Sequence, residues 1–383
     1  MTTVGVVGAT WRATVTADGS IDVWDSPDVL RWHVAADDRW HTPSSSSTLR
    51  QRRVDGVPVV ETRMRIPSGD AVQRIYAVAD HGGMTIVEIE NDSPLPIAVA
   101  IEGPAVCSAR PPTAVPIEGI ELPPGTAVFP VGHRATVTIA LPHSQVAPFP
   151  LPTTPPADQV VRGWLAAMER AGRLVLPDVA LTESVTSARS ELLLQGPGAF
   201  EDDPIAFLIA ASELVRLGNA ADQYVVEVAG AVAALARRER TWDLVAALDG
   251  ARRVLVAADE SRAVRDLDRV RARVTPTPLP AAAPNGVCVV PWVERRLVMD
   301  GALLPQGIPD AWTGQQFEVH GVPAGPATNV SYALRWHGER PAVLWETTGD
   351  PMALTSPVAA PGWTSVLAQG EALWPRHQEA ARV

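Results

Sequence analysis

The residues best placed to do chemistry gather in one C-terminal stretch, where Glu318, Glu339 and Glu346 lie among arginines, histidines and tryptophans. Paired carboxylates suit acid–base work, one giving a proton while the other takes one or attacks. Glu318 and Glu346 are therefore the catalytic candidates if any reaction is run. Arg335 and Arg340 could grip a carboxylate or phosphate with two parallel N–H donors. A tryptophan ring offers a broad flat face with one polar edge, and the C–H groups of a sugar ring pack on such a face. The expected ligand-binding set is thus Trp312, Glu318, His320, Arg335, Trp336, His337 and Trp345. The same groups also suit an ion-pair network that pins a sheet. On a strand, Arg335 and His337 share one face and Trp336 takes the other. One set then serves a ligand and the other the core.

Other constellations lead nowhere. His33, His41 and Asp37-Asp38 fit no standard metal spacing, so no metal is expected. No Gly-x-Ser-x-Gly elbow supports a serine hydrolase. Gly5-Val6-Val7-Gly8-Ala9-Thr10 has no strand before it and no βαβ unit after it, as a dinucleotide loop requires. No cofactor is expected. The two cysteines, Cys107 and Cys288, make neither a disulfide framework nor a zinc site.

Three segments must position these residues. Residues 1–150 read as strands: Asp18-Gly19 marks a hairpin between Ala13–Thr16 and Ile21–Trp24, with further turns at Asp55-Gly56 and Ser68-Gly69-Asp70. Val59–Ile66 and Met84–Glu90 alternate polar and apolar residues, which places one face in a core. An antiparallel β-sandwich follows. Pro-rich Ala147–Pro156 reads as a linker. From 158 to 274 the period becomes helical, with about six helices expected. Val160, Val161, Trp164, Leu165 and Met168 form one stripe, and Tyr224, Val225, Val228, Val232 and Leu235 another. Asp203-Pro204 starts a helix that Gly218-Asn219 stops, and Ser261 caps the last one. Thr275–Pro284 is a second linker. Residues 285–375 return to short strands such as Val287–Val290, Ser331–Trp336 and Ala342–Glu346. The fold class expected is α+β.

Composition bounds the partners. The chain has 383 residues, and 46% are hydrophobic, enough for a sizeable core and roughly two or three domains. The net charge of −11 disfavours nucleic acid and anionic membrane. All 32 basic residues are arginine, so there is no P-loop or Schiff-base lysine. The 12 tryptophans outnumber 5 phenylalanines and 3 tyrosines together. No charged leader with a long apolar run opens the chain, and the expected location is the cytoplasm.

Two stretches add a family resemblance. Asp18-Gly19-Ser20-Ile21-Asp22 is followed by Asp25-Ser26-Pro27 and Val29, and Arg52-Arg53 by Val60-Glu61-Thr62-Arg63 and Pro67-Ser68-Gly69-Asp70-Ala71. In order and spacing they resemble the N-terminal β-sandwich of the glucoamylase and trehalase family of glycoside hydrolases. The resemblance covers about a quarter of the chain and implies a sandwich and an ancestry in sugar chemistry. That family's Arg-Asn-Trp-Asp-Tyr-Arg type run is absent, and the helical segment is too short for its twelve-helix barrel. Its catalytic glutamates have no counterpart here. The expected function is therefore binding of a saccharide or sugar-containing metabolite by a degenerate glycosidase relative. The alternatives are an active glycoside hydrolase using the C-terminal glutamates, and a structural or assembly subunit whose Trp-rich surface meets a protein partner.

Overall fold

The computed structural model describes residues 1–24, 26–37, 39–113, 122, 126–143, 151–235, 241–275 and 277–376. Asp25, Asp38, Pro276 and residues 147–150 of the first expected linker lie outside them. The protein is α+β: antiparallel sheets at the N-terminus, helices in the middle and strands at the C-terminus. It divides into two compact units, Met1–Trp164 and Leu165–Val383.

The first unit holds β1 (Thr2–Gly5), β2 (Arg12–Val15), β3 (Ile21–Val23), β4 (Val29–Ala36), β5 (Arg39–His41), β6 (Arg50–Arg53), β7 (Val60–Ile66), β8 (Gly69–Val78), β9 (Met84–Asp92), β10 (Ile97–Glu102), β11 (Cys107–Ser108), β12 (Ala127–Val131) and β13 (Thr136–Pro142). One sheet runs β1-β2-β3-β4-β10-β12, with β5 on β4, and the other β11-β13-β9-β8-β7-β6. Alternation places Val4, Val15, Ile21, Trp32 and Val34 of the first sheet in one core with Val60, Met64, Ile75, Val87 and Ile89 of the second. The Asp18-Gly19 hairpin joins β2 to β3: the Asp18 carboxylate accepts from Thr16 Oγ1 and the Ser20 amide. Gly19 there has φ +79°, and a Cβ would sit 2.2 Å from Gln73 Oε1, so both backbone and packing require glycine.

Six α-helices follow among the described residues: α1 (Ala157–Met168), α2 (Val179–Gln195), α3 (Pro204–Arg216), α4 (Val225–Leu235), α5 (Trp242–Ala257) and α6 (Ser261–Arg271). Asp203 caps α3 as expected, its carboxylate accepting from the Ile205 and Ala206 amides, and Gly218 ends it at φ +107°. Ser261 is the first helical residue of α6 rather than its cap; Glu260 holds that position, without a side-chain cap bond. Helices α3 to α6 close on Phe207, Leu208, Val228, Ala247, Leu248 and Leu267.

The expected strand Val287–Val290 is a correction. A 3₁₀ turn, Gly286–Cys288, leads into α7 (Val289–Leu297). Val289, Val290, Val293 and Leu297 bury one side of a helix, and Pro291 in its first turn forfeits no helical bond. A short apolar run with β-branched residues suits either state locally, and the longer period settles it. A second difference is β14 (Arg173–Val175), a strand inside the expected helical segment.

The C-terminal strands are β15 (Val298–Met299), β16 (Ala302–Leu303), β17 (Phe317–Pro323), β18 (Thr328–His337), β19 (Arg340–Gly349), β20 (Leu354–Thr355), β21 (Thr364–Ser365) and β22 (Gln369–Leu373). A five-stranded sheet runs β14-β17-β18-β19-β22, and a small one β15-β16-β20-β21. The five-stranded sheet buries Phe317, Val319, Tyr332, Leu334 and Val343 against α2 and α7, represented by Val185, Ala188, Val293 and Leu297. Among the described residues, no helix is long and apolar enough to cross a membrane.

Candidate functional site

The outer face of the five-stranded sheet carries most of the polar candidates. Strand alternation aims Glu318 and His320 of β17 outward, with Ser331, Ala333, Arg335 and His337 of β18 and Leu344 and Glu346 of β19. Gln369 and Glu371 extend the face on β22, and Arg173 on β14. His320 Nε2 lies 3.1 Å from Glu318 Oε2, with Arg173 and Arg335 nitrogens each 3.7 Å from one of the same carboxylate's oxygens. These groups are a third to a half exposed, so water screens the pairs and each contributes about 0–1 kcal/mol. Glu318, His320, Ser331, Leu344, Glu346 and Glu371 line a shallow, open depression of about 650 Å³. Both catalytic candidates thus share one hollow. Arg340 stands apart, donating to the Trp374 and Leu373 carbonyls, and His337 lies at the exposed end of β18.

The aromatic candidates turn the other way. Trp345 is buried at 7% exposure; its Nε1 donates to the Leu367 carbonyl at 3.1 Å, and its ring meets Trp363, which in turn meets Trp374. Gly370 lies beneath that ring, where a Cβ would come within 2.6 Å of it. Trp336 is half-buried against the same core, its Nε1 donating to the Gln315 carbonyl at 3.0 Å. The pleat therefore sorts charge outward and turns the Trp336 and Trp345 rings towards the core, although Trp345 also borders the depression that Glu318 and His320 line.

Trp312 is buried edge-on to Phe317 at 5.2 Å, but it also walls a different pocket. This cavity, about 380 Å³, is lined chiefly by Leu181 of α2, Trp292 and Arg296 of α7, and Leu304, Gln306 and Trp312 of the following loop. Trp292 and Arg296 are four residues apart on one helical face, so the Arg296 guanidinium lies 4.5 Å over the Trp292 ring. Exposed Asp178 and Gln306 add polar groups to the lining. An apolar wall with a few converging polar groups is what a small-molecule site requires. Trp312 was visible in the sequence as a ligand-binding candidate. Trp292, Arg296 and Asp178 were not; the one signal was the i, i+4 spacing of Trp292 and Arg296, hidden by reading that segment as strand.

The remaining motifs are occupied locally. His33 is buried between Thr42 Oγ1 at 3.2 Å and Glu102 Oε2 at 3.4 Å, and His41 Nε2 lies 3.3 Å from the Ala36 carbonyl. Among the described residues no group of three or more His, Cys, Asp or Glu could hold a metal ion. No protein-family model matches this chain, and no curated protein matches it either.

Proposed function

We propose that this protein binds a saccharide or sugar-containing metabolite without cleaving it, and that the ligand enters the pocket between α2, α7 and the Leu304–Trp312 loop. One observation carries the reading: Trp292 and Trp312 wall a 380 Å³ cavity that also holds Arg296, Gln306 and Asp178. A sugar needs apolar surface for its C–H face and donors and acceptors for its hydroxyls, or the buried hydroxyls go unpaired. The resemblance of the first ~100 residues to the glucoamylase and trehalase sandwich points to the same ligand class. The absence of that family's catalytic run favours binding over hydrolysis.

The test is saccharide binding followed by tryptophan fluorescence and calorimetry. Maltose, maltodextrin or trehalose should perturb the fluorescence of the intact protein. Arg296→Ala and Gln306→Ala change partly or fully exposed groups, and each should weaken binding about tenfold, for roughly one lost hydrogen bond of 1.4 kcal/mol, with little change in Tm. Unaltered binding in both variants, or no response to any saccharide, would refute the assignment.

A second reading, an active glycoside hydrolase, draws on Glu318 and Glu346 lining one depression. That hollow is open to water and its carboxylate pair lacks an enclosing wall, whereas glycosidic cleavage needs a held water and a carboxylic acid kept protonated. Glucose release by the purified protein, lost in Glu318→Gln, would establish it instead.

A further inference from the structure

Two cavities of the second unit differ in how their charges are answered. A small one of about 50 Å³, where Ser212, Arg253 and Arg295 meet, has Glu213, Asp249 and Glu294 among its own walls. The pocket walled by Trp292 and Trp312 has no such supply for Arg296. That guanidinium is half-buried, and among the described residues it makes no ion pair and no hydrogen bond. Its partner is the Trp292 ring, whose centre lies 4.5 Å from the guanidinium carbon. An indole ring occupies the face of a guanidinium and leaves its edge free, so the N–H donors of Arg296 stay available.

The charges nearby are spent elsewhere. Among the described residues Asp178 is the one carboxylate in the lining, and it is exposed. One of its oxygens accepts from the Ala180 and Leu181 amides at 3.1 and 3.4 Å. It thereby caps α2 and offsets the positive end of that helix. On α7, Glu294 is taken by Arg189 and Arg216, and Arg295 by Asp249. Asp310, on the loop that walls the pocket, is exposed, outside the lining and already engaged. The pocket therefore holds one cation and one carboxylate that do not pair with each other.

We infer that the saccharide this pocket takes is an acidic one, a uronate or a sugar phosphate, with its oxyanion on the edge of the Arg296 guanidinium. This rests on the saccharide reading of the pocket and adds the charge of the ligand to it. The planar fork matches two oxygens of a carboxylate or phosphate with parallel N–H···O bonds. Trp292 already holds the fork, so little side-chain freedom is lost on binding. The sugar ring packs on the wall that Leu304 and Trp312 supply, and Gln306 meets its hydroxyls. A neutral sugar fills the same wall but leaves the guanidinium to water.

The test is calorimetry on the full chain at low ionic strength. The probes are glucose, glucuronate and glucose 6-phosphate, with acetate and inorganic phosphate as sugar-free anions. A charge-assisted pair should make an acidic sugar bind about tenfold tighter than glucose, and the gap should narrow as salt is added. The tighter of the two acidic sugars identifies the group. Arg296→Gln should bind glucose and the acidic sugars alike. If that variant does not fold, Asp178→Asn serves: it keeps an acceptor for the cap, removes the one repulsive charge of the pocket, and should widen the preference. Equal affinities for glucose and both acidic sugars in the wild-type protein overturn the inference and leave the saccharide reading standing. So does a preference that survives Arg296→Gln, or one that does not widen in Asp178→Asn. Sugar-free anions binding as tightly as the acidic sugars overturn the saccharide reading, and the acidic-sugar assignment falls with it, as it does if no probe binds.

Discussion

Glu294→Ala should be among the most damaging single changes in the second unit. Glu294 is 7% exposed and receives Arg189 at 3.0 Å and Arg216 at 2.9 Å. Those arginines also hold the loop before β14: Arg189 donates to the Gly172 and Ala171 carbonyls at 2.8 and 3.0 Å, and Arg216 to Ala171 as well. Removing the carboxylate leaves two guanidiniums, 3% and 11% exposed, sharing Glu213 alone. Breaking a buried pair by deleting one partner costs about 3–5 kcal/mol, because the surviving charge stays desolvated. At roughly 2–4 °C per kcal/mol for a unit of this size, Tm should fall by about 6–20 °C. Far-ultraviolet circular dichroism follows the helices that carry the network. Glu318→Ala is the internal control: its partners are exposed, and about 0–1 kcal/mol should be lost. Acid should mimic the mutation. Burial would raise the Glu213 carboxyl, but Arg216 and Arg189 more than offset it and hold its pKa below the usual range. A depressed carboxylate contributes stability above its unfolded value, and that contribution is lost as pH falls below about 4. A loss from Glu294→Ala no larger than that from Glu318→Ala would refute the claim that this network is a buried, mutually dependent unit.

Three further outcomes are expected. Burial against Trp11, on which His143 stacks at 3.8 Å, lowers the His143 pKa from 6.5 to about 4. The unfolded chain then binds the proton first, so the first unit should lose stability as pH falls from about 6.5 to 4; His143→Phe should flatten that slope, and identical urea midpoints against pH in both proteins would contradict it. Gly370→Ala should cost about 1–3 kcal/mol, since the new methyl lies 2.6 Å from a Trp345 ring that Trp363 confines; an unchanged denaturant midpoint would show that the ring has room to move. Buried Gln73 finds no partner for either amide atom among the described residues, so Gln73→Met should be neutral or stabilise by about 1–2 kcal/mol, with a lowered Tm as the contrary result.

How far the fold could be read from the chain depends on how local its determinants are. Asp18-Gly19 and Asp203-Pro204 were legible because the carboxylate, the turn or cap and the amides it accepts from lie within a few residues. Alternation in Val59–Ile66 and Met84–Glu90, where strands Val60–Ile66 and Met84–Asp92 form, was legible for the same reason. The strand Arg173–Val175 was not: three residues gain a ladder only because Glu318–His320, far along the chain, offer an edge. Helix Val289–Leu297 was misread because Val287–Val290 satisfies a strand pattern over four residues, and only Val293 and Leu297 reveal the helical period.

The candidate site divides along the same line. Glu318, His320 and Arg335 converge because two neighbouring strands and a period of two decide which side chains share a face. The same rule turns the Trp336 and Trp345 rings towards the core, although Trp345 still borders the depression that holds Glu318 and His320. Both cavities arise where distant segments meet: Leu181, Trp292 and Leu304 in one, Ser212, Arg253 and Arg295 in the other. No spacing in the chain encodes such a meeting. The polar sheet face pairs its charges in the open, whereas the pocket beside Trp292 and Trp312 is walled by apolar side chains.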